Sequence, residues 1–321
     1  MTVVRVSQSR GMSALQATFA DDLALMRLGR RLALLSVILL LVSLVYYAYD
    51  RYYISAESPL DGAVRSLEDK VRAAPNDVDL RMQVAGGYLR QKRYEQAIAQ
   101  YEEVLKLRND WMPAIFAEAS AEYTRGNQAR SEELFHRIAD SYSTNQFRYA
   151  TKELQIVYYR LGELALKDRR LDEAATWSAE ALRVDSANSD ALYLLAQSEE
   201  ARGNAAAAKD AFLGAAGFDP NFRDAYAGLE RTATTTGDNS LAAYAHGMQQ
   251  YAAGDFQAML ATFQRLVADA PEFSRGYEGL GLAYAKQNKA DQAIAAFRSA
   301  LERDPKLMLS RWSLHSLGEE D

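Results

Sequence analysis

The stretch from Pro271 to Pro305, PEFSRGYEGLGLAYAKQNKADQAIAAFRSALERDP, decides the fold. Its two prolines lie 34 residues apart. Between them, Tyr277-x-x-Leu280-Gly281-x-x-Tyr284 and Ala293-x-x-x-Phe297 place apolar and small residues at helical intervals on two successive segments. Asn288-Lys289 falls between the segments, and proline ends the second. Proline lacks the N–H that would continue the helix, and it pushes the residue before it out of the α region. The stretch therefore predicts two short helices packed through small residues, with an aromatic ring between them.

The pattern recurs upstream. Leu192-x-x-Leu195-Ala196, Ala208-x-x-x-Phe212 and Pro220 form one copy. Tyr158-x-x-Leu161-Gly162-x-x-Ala165 with Ala174 and Ala181 forms another, with Ser178 in the aromatic column. Val84-Ala85-x-x-Tyr88 with Ala97-x-x-x-Tyr101 forms a third. Ile115, Ala119, Ser131, Phe135 and Ile138 form a weaker fourth, in which Glu118 stands where an apolar residue is expected. Ala243, Gly247, Tyr251, Met259, Phe263 and Pro271 form a fifth. With the Pro305 copy there are six. Gly or Ala at 85, 119, 162, 196, 247 and 281 lets the first helix of a pair approach its neighbour closely. The aromatic at 101, 135, 212, 263 and 297 fills the space between helices, each buried ring contributing about 1.5–3 kcal/mol.

These columns resemble the tetratricopeptide repeat (TPR), a helix pair of 34 residues. The resemblance covers roughly residues 60–310 and implies an all-α solenoid of about six helix-turn-helix repeats. One such pair cannot bury its apolar face alone, so copies stack and leave a concave surface able to hold a polypeptide.

Two spacings are irregular. From Pro75 to Pro220 there are nine residues more than four repeats need, and we place the excess near 146–154 as a helix extension or a longer turn. From Pro220 to Pro271 there is room for one additional helix, about Arg223 to Thr234, followed by Thr235-Thr236-Gly237-Asp238-Asn239, a break signal. We read this helix as a cap, with a hinge at 235–239 separating a first array (58–239) from a second (240–321). The other reading is one continuous superhelix with a register shift.

Leu32 to Tyr49, LALLSVILLLVSLVYYAY, carries no charge. At 1.5 Å per residue it spans about 27 Å, near the hydrocarbon thickness of a bilayer. Tyr46, Tyr47, Tyr49, Tyr52 and Tyr53 gather at its C-terminal end, as in an interfacial aromatic belt. Arg27, Arg30 and Arg31 precede it, whereas Arg51 follows beside Asp50. The positive-inside bias places residues 1–31 in the cytoplasm and the repeats outside. Small residues at the cleavage positions are missing: cutting after Ala56 meets Ile54, and cutting after Ala48 meets Tyr46. An uncleaved signal-anchor in a bacterial-type plasma membrane is the expectation.

Within residues 1–31, Ser13-Ala14-Leu15-Gln16 reads as a capping box, and Leu15, Phe19, Leu23 and Met26 form an apolar stripe. This is either an amphipathic helix for a partner or a helix that merely continues the anchor. Residues 50–57 form a linker. Ser58-Pro59-Leu60-Asp61 then reads as N-cap, first-turn proline and first-turn acid. It opens a helix to about Ala74 that serves as the second half of an incomplete first repeat.

The formal net charge is −6. Residues 1–53 hold six Arg and three Asp, leaving −9 on the rest. An acidic array argues against nucleic acid as partner. The chain has no cysteine and three histidines, His136, His246 and His315, at no metal-ligand spacing. Gly279-Leu280-Gly281 lies inside a predicted helix with no strand before it, so it is not a phosphate loop. Glu102-Glu103, Glu132-Glu133 and Glu199-Glu200 read as solvated faces. No enzyme, cofactor or metal site is expected.

The TPR resemblance implies that first-helix side chains line the concave surface: Met82, Leu89 and Arg90; Phe116 and Tyr123; Tyr159, Arg160, Glu163 and Lys167; Tyr193 and Gln197. Tyr244 and Met248, with Leu282 and Lys286, hold matching places further on. Trp312 and Leu309 then close the stack in a last helix. One class of TPR domain clamps a peptide's terminal carboxylates with Lys and Asn, but the matching positions here are Met82 and Gly86. The expected groove is aromatic and apolar, suited to an extended peptide or an amphipathic helix. The layout resembles membrane-anchored TPR subunits of secretion, chaperone and envelope-assembly systems. A structural subunit of a larger membrane complex is the alternative.

Overall fold

The computed structural model describes residues 9–51 and 58–319. Tyr52, Tyr53 and most of the 50–57 linker lie outside the described residues. The described residues form sixteen α-helices and no strand. They divide into two compact units, residues 1–92 and 93–321.

The first unit holds α1 (Ser9–Tyr49), α2 (Pro59–Ala73) and α3 (Val78–Arg90). Helix α1 runs unbroken through residues 13–16, so Ser13 lies inside a helix rather than at its start. The segment before Leu32 continues the same helix as the apolar stretch. Residues Leu28–Tyr49 form a stretch long and apolar enough to cross a membrane, and their side chains are exposed. Helix α2 starts as its sequence requires. Ser58 is its N-cap and shares a capping box with Asp61, with Pro59 in the first turn. It packs on α3, with Val64 against Gly87, where a Cβ would fall 2.6 Å from Val64. Tyr88 Oη donates to Glu68 Oε1 at 2.7 Å.

The second unit is a run of helices packed mainly on their neighbours in sequence. They are α4 (Tyr94–Leu107), α5 (Met112–Arg125), α6 (Gln128–Ser141), α7 (Glu153–Lys167), α8 (Leu171–Val184), α9 (Ser189–Ala201) and α10 (Ala205–Phe218). Then come α11 (Arg223–Thr235), α12 (Asn239–Ala252), α13 (Phe256–Asp269), α14 (Ser274–Lys286), α15 (Ala290–Arg303) and α16 (Met308–Ser316). The small columns do what the pattern predicts. A Cβ added at Gly247 would fall 2.5 Å from the Phe263 ring, and one at Gly281 would fall 2.6 Å from Phe297. Phe135, Phe212, Phe263 and Phe297 are fully buried.

The turns show how the extra helix is absorbed. Arg169, Gly203 and Gly237 all adopt positive φ, at intervals of one repeat, and Gly254 does so half a repeat later. The segment 235–239 is thus the same left-handed turn that joins the helices of a regular pair. Helix α11 also behaves as a first helix, since Gly228 lies against Phe212 of the preceding helix as Gly279 does against Phe263. Helix α12 is then the second helix to α11 and the first helix to α13. A single buried cluster containing Phe212, Tyr226, Tyr244, Met248, Phe263 and Phe297 crosses residues 235–239 without a break. A separate cluster, with Ile115, Phe135, Leu154 and Leu161, precedes it and ends at Ala191 on α9.

The nine surplus residues form a lengthened turn rather than a longer helix. Helix α6 ends at Ser141, a 3-10 turn spans Arg148–Ala150, and α7 begins at Glu153. Tyr149 ties this segment to α8, donating from Oη to Glu180 Oε2 at 2.9 Å and accepting from Arg183 at 2.7 Å.

Candidate functional site

The predicted groove residues of the second unit sit on three first helices, α5, α7 and α9. Phe116 is half-buried on α5, edge-on to Phe135 with ring centroids 6.5 Å apart. Two turns further along α5, Tyr123 meets α7. Its Oη donates to Glu163 Oε2 at 3.1 Å. Arg160, one turn before Glu163, is ion-paired with the same carboxylate oxygen. The guanidinium of Arg160 lies 4.4 Å from the Tyr123 ring centroid and 5.5 Å from that of Tyr159. Four of the expected residues therefore form one assembly: a cation between two aromatic rings, held by one carboxylate. A guanidinium stacks on aromatic faces through their negative quadrupole, and more strongly where water is partly excluded. Burial raises the Tyr159 hydroxyl pKa above the ordinary tyrosine value, with Glu163 and Asp190 adding to the rise. Burial and Glu163 act likewise on Tyr123. Both phenols stay neutral donors at physiological pH.

Tyr193 on α9 is tied into packing, with its ring 4.8 Å from Phe222 and 5.8 Å from Phe212. Gln197 beside it is half-buried, and Lys167 at the end of α7 is exposed. Met82 and Leu89 on α3 of the first unit are half-buried, and Arg90 is exposed.

The later positions behave differently. Tyr244, Met248 and Leu282, expected to line the groove, are buried in the core. Tyr226 of α11 packs edge-on against Tyr244 at 6.2 Å, and Phe263 and Phe273 lie against the same ring, whereas Tyr159 on α7 stays half-buried. Lys286 is exposed, its ammonium 5.1 Å from the Tyr251 ring centroid.

Two features escape the residue columns. The first is an apolar cavity of about 390 Å³ at the lengthened turn, lined by Met112, Pro113, Phe116, Ile138, Tyr142 and Val157 among others. Helices α7 and α9 touch directly, but the surplus residues hold α5 and α7 apart at their N-terminal ends, with at most marginal contact. The nine-residue excess was the only trace of this gap in the sequence. The second is Trp177 on α8, which stacks on Tyr158 at 5.7 Å and receives His136 edge-on at 5.5 Å. His136 therefore packs as a structural ring. His246 lies 3.3 Å from Glu230, and His315 is exposed on α16.

Comparison with known proteins agrees with this architecture. A tetratricopeptide repeat family model matches residues 159–221 and 244–307, and a second matches residues 87–110. The chain belongs to the tetratricopeptide repeat family. No curated protein matches it. Similar solved structures include YrrB, described as a TPR protein with an unusual peptide-binding site. That structure is 14% identical over 79% of this TPR chain and 98% of its own, with a TM-score of 0.43. A tetratricopeptide repeat protein from Parabacteroides merdae is 16% identical over 86% and 98%, with a TM-score of 0.46. The C-terminal part of a TPR repeat-containing protein from Cytophaga hutchinsonii is 14% identical over 77% and 91%, with a TM-score of 0.49. The unmatched stretch 222–243 takes in α11, and the unmatched stretch 111–158 takes in α5, α6 and the lengthened turn.

Proposed function

We propose that this TPR protein is a scaffold tethered to a bacterial-type plasma membrane through α1, with its N-terminus in the cytoplasm and its repeats on the other side. In this reading it holds an extended peptide or an amphipathic helix of a protein partner against α5, α7 and α9. The observation that carries it is the apolar cavity beside Phe116. Its volume falls in the range of sites that bury a ligand group, and it lies on the same two helices as the Tyr123–Arg160–Tyr159 assembly. A large apolar side chain of the partner enters the cavity. The partner's backbone then meets neutral tyrosine hydroxyls and the edge of a stacked guanidinium. Arg160 is not a free clamp for a terminal carboxylate, because it is already paired with Glu163. The setting we propose is envelope protein assembly, secretion or chaperone assistance.

A photo-crosslinking amino acid at Phe116 or Tyr159 tests this in living cells. Capture of a discrete partner from these sites, and not from exposed Glu302 on α15, supports the reading; equal labelling from all three overturns it. Protease treatment of sealed spheroplasts tests the orientation, since repeats that resist digestion would lie on the cytoplasmic side.

A second reading draws on the length of α1. Its 41 residues span about 61 Å at 1.5 Å per residue, twice a bilayer's hydrocarbon core. The part before Leu28 is then available to a larger membrane complex in which the repeats are structural. Stoichiometric co-purification with one complex in mild detergent favours this reading, and a changing set of weakly held clients favours the first.

A further inference from the structure

In the last repeats, a residue on each first helix is covered by the pair that follows it. Tyr244 on α12 is 2% exposed, shut in by Phe263, Phe273 and Glu278. One repeat later, Glu278 on α14 is 1% exposed and accepts both the backbone N–H and the hydroxyl of Ser310 on α16. One repeat later again stands Trp312, which is 68% exposed. Met308, one turn before it, is exposed to the same extent. Arg311 and His315 are exposed too, and the spacing 308, 311, 312, 315 places all four on one face of α16. A solvent-facing helix face is ordinarily charged or polar. This one presents a tryptophan, a methionine and an arginine, residue types enriched in the cores of protein interfaces.

We propose that this face of α16 is a self-association surface, on which a second copy of the chain lays its own α16 antiparallel about a twofold axis between residues 311 and 312. The choice of occupant rests on self-complementarity. In that arrangement the Arg311 guanidinium of each copy faces the Trp312 ring of the other, a cation–π pair made twice. Met308 faces His315, a thioether against an aromatic edge. A parallel pairing would instead set like charges together, the Arg311 guanidinium of one copy beside that of the other. This surface is separate from the groove on α5, α7 and α9, so the two readings stand or fall independently.

Sedimentation of the full chain in mild detergent tests the proposal. The expected result is a monomer–dimer equilibrium whose dissociation constant rises at least tenfold in both Trp312→Ser and Met308→Ser. Both side chains face solvent, so both variants keep the wild-type melting temperature. The chain has no cysteine, which permits a second measurement. Arg311→Cys, near the axis, forms a disulfide dimer on mild oxidation, and Glu302→Cys, on the exposed side of α15, does not. A chain that stays monomeric at tens of micromolar overturns the proposal. So does a dimer of unchanged strength in Trp312→Ser, which would point to the membrane helix, and so does equal crosslinking at position 302.

Discussion

At the scale of single residues, the informative positions are those that break the column pattern. Glu118 stands in an apolar column and is fully buried. Its Oε1 accepts two hydrogen bonds from Arg130, at 3.1 and 2.9 Å, while its Oε2 has no partner. Breaking a buried ion pair from one side leaves an uncompensated charge, whereas replacing the buried member by a hydrophobe of similar volume is often neutral. Arg130→Ala, at a residue a third exposed, is therefore expected to cost about 3 kcal/mol, and Glu118→Leu to stay within about 1 kcal/mol of wild type. Chemical denaturation of the two variants checks this. Burial raises the Glu118 carboxyl pKa in the folded state, against the opposing pull of Arg130. The folded chain then binds that proton more tightly than the unfolded chain does. Stability accordingly falls as pH rises from the ordinary carboxylate range through the raised folded value, and the loss is complete above it. Glu278 acts in the same direction through its own burial. Stability measured against pH should therefore show a shallower decline in Glu118→Gln than in wild type.

Glycine makes a second contrast at this scale. Gly→Ala within a helix ordinarily stabilises by about 1 kcal/mol. A Cβ at Gly279 would fall 2.2 Å from the Phe263 ring, which is already seated against Gly247, while nothing lies within 4 Å of a Cβ at Gly86. Gly279→Ala is expected to lose about 2 kcal/mol through overpacking, and Gly86→Ala to gain up to about 1 kcal/mol. Thermal melts of the two variants should move in opposite directions.

At the scale of elements, the last helix depends on one buried carboxylate. Glu278 accepts the Ser310 N–H at 3.2 Å and its hydroxyl at 2.9 Å, and these bonds hold the first turn of α16 against α14. The same acceptor supplies negative charge at a helix N-terminus, where the macrodipole favours it. Ser310→Ala removes one of the two bonds and leaves the carboxylate under-satisfied. The expected loss is about 1–3 kcal/mol, confined to α16. Hydrogen exchange should accelerate across 308–316 while α12 and α14 keep their protection. The helix pattern was legible in the sequence down to its caps, as Ser58 and Asp61 show. The cause is that capping and proline signals act within a few residues. The role of Glu278 was not legible, because its partner lies 32 residues away on a different helix.

At the scale of the whole chain, the buried clusters show where cooperativity divides. In a solenoid each helix pair is stabilised by its neighbours, so unfolding propagates until contacts thin out. The cluster from Ala196 to Leu314 passes across 235–239, and the preceding cluster ends at Ala191. Helices α11, α12 and α13 are therefore expected to share one opening free energy in native-state hydrogen exchange. Any step between sub-global units should fall within α9, not at 235–239. The surplus helix left its mark in the sequence only as a spacing, which says how many residues intervene and not which way they pack. Gly237 read as a break because Thr-Thr-Gly-Asp-Asn signals a turn. It is the turn of one more helix pair.

The amino-acid sequence alone determined the repeat register, most helix boundaries within the repeats, the small and aromatic columns, and the apolar stretch from Leu32 to Tyr49. All of these follow from periodicity and short-range sterics. The tertiary structure decided which predicted groove side chains meet solvent. Tyr159 and Tyr244 hold equivalent places in their repeats, but Tyr226, Phe263 and Phe273 shut Tyr244 into the core while Tyr159 is only half-buried. A helix's own residues set which side chains share a face, and only the neighbours that fold against that face settle whether it becomes core or surface.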